Sequence, residues 1–150
     1  MEYIYSNELP QSIIYFGQKI QLQYNVRELN EAEIRNLFER EGVEDEYFDA
    51  FYDSHRYSYN SVLIGALQWT RDGIINAIIR DKYRQDEMEA ITNNMAAINA
   101  VFMQTLVSDG IVAATKYLKD SINDDNTARF KEMQEWRAMA KKVASEIIKE

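Results

Sequence analysis

The sequence has no cysteine, one proline and one histidine. The first absence removes disulfides, thiolate metal sites and a cysteine nucleophile, and it fits an intracellular protein. A dinuclear carboxylate site in a helical bundle wants Glu-x-x-His pairs on facing helices. The residue three before His55, the lone histidine, is Tyr52. Gly17, Gly42, Gly65, Gly73 and Gly110 are scattered rather than clustered into a phosphate cradle, and no serine sits in an elbow-like glycine context. No apolar run approaches the roughly eighteen residues of a membrane span. The opening MEYIYSNELP lacks the basic start and apolar stretch of a secretory signal. Bases are outnumbered 17 to 25 and the net charge is −8, which argues against general nucleic-acid binding. Together these features predict a soluble protein made and used in a cytoplasm, or packaged from one. They predict no catalytic residue, metal or cofactor, and no direct nucleic-acid or membrane partner.

What the chain has instead is a block of aromatic residues. Tyr47, Phe48, Phe51, Tyr52, Tyr57 and Tyr59 crowd around His55 and the acids Asp45, Glu46, Asp49 and Asp53. On a helix, positions 47, 48, 51, 52 and 55 share one broad face and the acids fall mainly on the other. Charge is also uneven along the chain. From Glu28 to Arg56 there are ten acids against three bases, and from Arg129 to Glu150 six bases against four acids. An acidic front and a mildly basic tail can pair within one chain or between successive copies. Solvated helix faces are the plainer explanation.

A length of 150 residues suits one domain with a real core. The spacing predicts a mainly α protein: about five helices in an irregular bundle over residues 30–150, with an N-terminal β-hairpin arm over 1–26. Ile13 to Phe16 is β-prone, Gly17-Gln18 is a turn, and Ile20, Leu22, Tyr24 and Val26 alternate with polar residues. Pro10 precedes the hairpin, where it interrupts no ladder. Such a hairpin is marginal alone and must lie on helices or extend a neighbour's sheet. Asn30 and Glu33 form a capping-box pattern for a helix ending at Gly42. An aromatic helix over about 44–55 follows, then a longer one over about 59–82. In the latter, Gly65, Trp69 and Gly73 recur every four residues. Glycine within a helix costs about 1 kcal/mol against alanine, so these two imply close approach of another helix with Trp69 in the contact. Further helices are expected over about 86–107, 111–121 and from the Asn123-Asp124-Asp125-Asn126 cluster to the C-terminus.

The titratable residues add little chemistry. Asp49, Asp53 and Glu46 lie one turn apart and suit a divalent cation, but exposed acids on an amphipathic helix explain them more simply. The 123–126 cluster lacks the alternating ligands, central glycine and closing glutamate of a calcium loop, and fits a helix break and cap better. His55-Arg56 reads as a helix C-terminus favoured by the dipole. An interaction surface is the stronger reading. Tyrosine, tryptophan and arginine are enriched in binding hot spots, and Tyr47, Tyr52, Arg56, Tyr57, Tyr59 and Trp69 concentrate them between 47 and 69; Tyr52, Arg56, Tyr57 and Tyr59 are the candidate contacts. Phe48 and Phe51 are expected in the core. The basic face of the last helix, with Arg137, Lys141 and Lys142, is the candidate docking face for the acidic front of another copy.

Two stretches resemble small helical proteins of tailed bacteriophages and prophages. Ile79-Arg80-Asp81-Lys82-Tyr83-Arg84-Gln85-Asp86-Glu87-Met88-Glu89-Ala90-Ile91 is similar to a recurrent (R/K)-Y-S-x-D-D-E-x-A-I helix junction, with Arg84 in place of the serine. Trp136-Arg137-Ala138-Met139-Ala140-Lys141-Lys142-Val143-Ala144 looks like the Y/W-R-x-x-A-K-x-x-A closing helix of such proteins. The resemblance implies a virion or assembly component, built in the cytoplasm of a bacterial host and carried in the virion. A neck or tail connector or adaptor, in a ring with copies of itself and neighbouring virion proteins, is the expected role. The alternatives are a soluble module that binds and regulates a host protein, or a tail-assembly chaperone absent from finished particles.

Overall fold

The computed structural model describes residues 1–122 and 124–149, so Asn123 of the polar cluster lies outside the described residues. They fall into two compact units, residues 1–77 and 78–150, each of which is described by itself.

The first unit is built on a four-stranded antiparallel sheet of order β1-β4-β3-β2: β1 (Ile4–Ser6), β2 (Ile13–Phe16), β3 (Lys19–Glu28) and β4 (Tyr57–Gly65). The expected hairpin is β2–β3, in register Ile13 to Leu22 and Phe16 to Lys19. Gly17, at φ 58°, takes the first central position of its two-residue turn. A type II′ turn requires positive φ there, at no steric cost to glycine. Of the expected inward set, Ile20, Leu22 and Tyr24 are buried, but Val26 is exposed. Alternation fails because the β3–β4 register shifts between Tyr24 and Arg27, where Asn25 adopts φ 54°. A bulge of this kind inserts one residue and flips the side chains that follow.

The helix expected over 59–82 does not form as one element. Residues 57–65 are strand β4, paired with β3 from Gly65 opposite Lys19 to Tyr57 opposite Glu28, and with β1 on its other edge. A 3-10 turn over Ala66–Gln68 follows, and only Arg71–Lys82 is helix (α3). Gly65, Trp69 and Gly73 therefore share no helix face. Gly73 answers to a tight loop instead. A Cβ there would collide with the backbone carbonyl of Gln68, while its N–H donates to Thr70 Oγ1 at 3.1 Å. Asn60 is fully buried at the middle of β4. Its amide accepts from Asn25 Nδ2 at 2.9 Å and donates to the Glu2 carbonyl at 2.9 Å, so one side chain ties the bulge to the chain leading into β1.

Helix α1 (Glu31–Glu41) opens on the expected capping box: the Asn30 side chain accepts from Glu33 N–H at 2.9 Å, and Glu33 accepts from Asn30 N–H at 3.0 Å. It closes on Gly42 in the left-handed conformation. The aromatic helix is shorter than expected, a 3-10 turn over Asp45–Tyr47 and then α2 (Phe48–Ser54). Leu29, Ile34, Phe38 and Phe51 form a small core that Tyr5, Leu37, Phe48 and Tyr52 flank. The three phenylalanines meet edge to face, with Phe38 5.1 Å from Phe48 and 5.3 Å from Phe51, an arrangement favoured by the ring quadrupoles.

The second unit holds the end of α3 with α4 (Gln85–Asp109), α5 (Ile111–Ile122) and α6 (Asp125–Ile147). Six α-helices thus stand among the described residues, one more than expected. Residues 79–91 span the break between α3 and α4. Arg84 cannot cap with its side chain, since guanidinium has no acceptor; Glu87 instead accepts from Arg84 N–H at 3.2 Å. Asp124 caps α6 by accepting from Asn126 N–H at 2.7 Å. Met133, Trp136, Ala140 and Ala144 form the buried face of α6 at helical spacing. Trp136 Nε1 donates to the Ile78 carbonyl at 3.0 Å. Among the described residues no helix is long and apolar enough to cross a membrane.

Candidate partner-binding surfaces

The front cluster is partly assembled and partly consumed by the core. Arg56 holds its guanidinium 5.6 Å over the Tyr52 ring, and both are half-buried. Tyr57 and Tyr59, of which Tyr59 was expected to open a helix, point to one face of β4, opposite Ser6 and Ile4 of β1. Tyr57 keeps some exposure, but Tyr59 at 9 % has little surface to offer a partner. His55 ends α2 as expected. Its ring stacks on Phe51 at 3.8 Å and meets Tyr5 at 4.9 Å. Nδ1 lies 2.8 Å from the Phe51 carbonyl, which can only accept, so the proton belongs on Nδ1. The imidazole therefore holds the end of α2 in place. Glu46, Asp49 and Asp53 are exposed, and no group of three potential metal ligands converges among the described residues.

The basic set lies in the second unit. Arg137, Lys141 and Lys142 are exposed along α6, and no ion pair engages them among the described residues. Lys82 is built in more firmly. Its ammonium donates to Glu132 at 2.6 Å and sits 4.6 Å over the Trp136 ring. Burial works against the charge, but the Glu132 hydrogen bond, together with Tyr83 and the Glu132 charge, outweighs it and raises the Lys82 pKa above its ordinary value. Burial raises the neighbouring Tyr83 phenol as well, against the opposing effect of the Lys82 charge.

Two further surfaces were not anticipated, one on each unit. In the first, opposed residues share a sheet face, so the pairings of Ile14 and Leu63 with Gln21, and of Phe16 with Lys19, put Ile14, Phe16 and Leu63 on the outer side. Phe16 is 56 % and Leu63 57 % exposed. Leu67, just past the strand, is 93 % exposed and borders a depression of about 470 Å³ shared with Gln18 and Lys19. In the second, the end of α4 presents Met103 and Val107 and the start of α5 presents Ile111 and Val112, all exposed. Its signal in the sequence was charge rather than hydropathy: no charged residue stands between Glu89 and Asp109.

Set against family models, curated proteins and solved structures, the chain matches none. The geometry therefore has to carry the functional reading. Scattered exposed apolar residues are normal, whereas grouped ones rimmed by polar residues mark protein contacts. The hydrophobic residues of both groups are large, and neither group is needed to close the small core around Phe38.

Proposed function

We propose that the protein is a non-enzymatic structural or assembly subunit of a tailed-phage particle, working as a neck or tail connector or adaptor. Its copies contact one another and neighbouring virion proteins in a ring. The observation that carries this reading is the exposed apolar group on each compact unit: Phe16, Leu63 and Leu67 beside half-buried Ile14 on the first, Met103, Val107, Ile111 and Val112 on the second. A subunit that touches both its own copies and neighbouring virion proteins needs more than one contact face, and these differ in build, one on a sheet and one on helices. The phage-like junction at 79–91 and closing helix at 136–144 supply the particle context. Charge supports polarity of the same kind. The exposed acids of α1 and α2 and the exposed bases Arg137, Lys141 and Lys142 lie on different units. Tyr52, Arg56 and Tyr57 remain the front's candidate contacts, with Tyr59 contributing from within the sheet.

The reading predicts that purified particles contain the protein in a fixed number of copies. A soluble regulator would be found on a host protein and not in particles. A tail-assembly chaperone would be required during assembly and missing from the finished particle. Either result overturns the proposed role.

A further inference from the structure

One side of α4 carries a line of uncharged residues that the fold leaves open. At 3.6 residues per turn, Ala96, Ala100, Met103 and Val107 fall within about 60° of arc. All four are exposed, Met103 at 56 % and Val107 at 85 %. The helix buries another side, through Ile91 and Ile98. Since no charge lies between Glu89 and Asp109, nothing along the line repels an apolar partner.

The line is also graded, with its two alanines towards the N-terminus and its larger side chains towards the C-terminus. A second copy laid antiparallel, about a two-fold axis passing between positions 101 and 102, sets Ala96 opposite Val107 and Ala100 opposite Met103. Symmetry repeats each pairing. A small residue then faces a large one at all four contacts, the arrangement that interdigitates without voids. A parallel copy does the reverse, setting alanine on alanine. Charge makes the same choice. Glu89 lies on this line two turns before Ala96, so parallel helices would stack one Glu89 on the other. Antiparallel ones carry each Glu89 past the end of the opposing α4 and oppose the two helix dipoles.

We propose that this face of α4 docks antiparallel on the same face of a second copy of the chain, as an isologous contact centred between residues 101 and 102. The inference deepens the assembly reading by naming one of its contacts. Failure of the two can be told apart, because docking is read on the purified chain and particle membership on particles.

The absence of cysteine gives the test a clean background. Ala96→Cys and Val107→Cys proteins are made separately, and oxidised gently either alone or mixed. In the antiparallel contact, like positions lie about 17 Å apart along the axis, eleven residues at 1.5 Å each, far beyond disulfide reach. The mixture should therefore give a covalent dimer and neither protein alone should. Sedimentation of the cysteine-free chain should show a concentration-dependent dimer whose dissociation constant rises at least tenfold in Met103→Glu, a fully folded variant by circular dichroism. Cross-linking of Val107→Cys alone, a monomer at every concentration, or a dimer indifferent to Met103→Glu would each overturn the proposal.

Discussion

Replacing Gly73 by alanine separates the strand-loop-helix arrangement of residues 57–82 from a continuous helix by the sign of one free energy. In a continuous helix the change is favourable by about 1 kcal/mol, because alanine loses less backbone entropy than glycine. In the observed fold Gly73 lies in the first turn of α3, and a Cβ would run into the Gln68 carbonyl oxygen and carbon. Those are backbone atoms, so no rotamer change relieves the contact and the loop must move. Overpacking of this sort costs about 3 kcal/mol at the upper end of its usual range. Moving the loop also disturbs the Thr70 hydroxyl that accepts from Gly73 N–H, and a lost cap costs about 1 kcal/mol more. Set against the propensity gain, the net loss is about 3 kcal/mol, or roughly 6–12 °C in Tm for a chain of this size. Gly65→Ala is the internal control. There the Cβ would meet only the side-chain end of Gln68, which can swing away, and Gly65 has φ −64°, open to any residue. Its Tm should shift by at most about 2 °C, in line with a surface substitution of about 0.5 kcal/mol or less. Thermal unfolding followed by circular dichroism reads both variants. A Gly73→Ala protein as stable as wild type, or more so, would refute the loop geometry.

Asn60→Ala should cost about 1–3 kcal/mol, since it removes both partners from a buried amide network, and amide exchange in Ile4–Ser6 should quicken because the link to the Glu2 carbonyl is gone. Unchanged exchange in β1 would sink that role for Asn60. In the second unit, Lys82 and Tyr83 bind protons more tightly folded than unfolded. Their contribution is then fully present below the ordinary values of 10.5 and 10.0 and is lost as pH rises through the higher folded values. The urea midpoint should hold between about pH 7 and 9 and fall above about pH 10, with a shallower fall in Lys82→Met; a flat profile to pH 11 would contradict the assignment.

Much of this architecture was legible because its signals are local. The Asn30–Glu33 box, the Gly42 stop, the β2–β3 turn at Gly17 and the breaks at Tyr83-Arg84 and Gly110 each act within a few residues. Strand β4 was not, because its partners lie some 29 to 46 residues away on β3 and its inward side mixes Ser58 and Asn60 with Ile64, which blurs the two-residue period. The same gap hid the reason for Gly73, whose neighbour is a loop carbonyl rather than another helix. Val26 was misplaced by a bulge that no periodicity announces. Among the candidate contact residues, Arg137, Lys141 and Lys142 are exposed on α6, while Tyr52 and Arg56 are half-buried, Tyr52 against the core around Phe38. Tyr59 lost most of its surface once its segment became a central strand, on the face opposite Ser58 and Asn60. Met103, Val107 and Ile111 were overlooked because they read as ordinary core residues. Only the helix packing shows which side of α4 is already covered.

The central claim is that this chain works by standing among other protein subunits in a particle. Quantitative mass spectrometry of gradient-purified particles tests it most directly, comparing wild type with a Phe16→Asp/Leu67→Asp variant at two exposed positions. The account predicts a constant, multiple copy number for the wild-type chain and a sharp drop for the folded variant. Particles that lack the wild-type chain, or that take up the variant at the wild-type copy number, would contradict it.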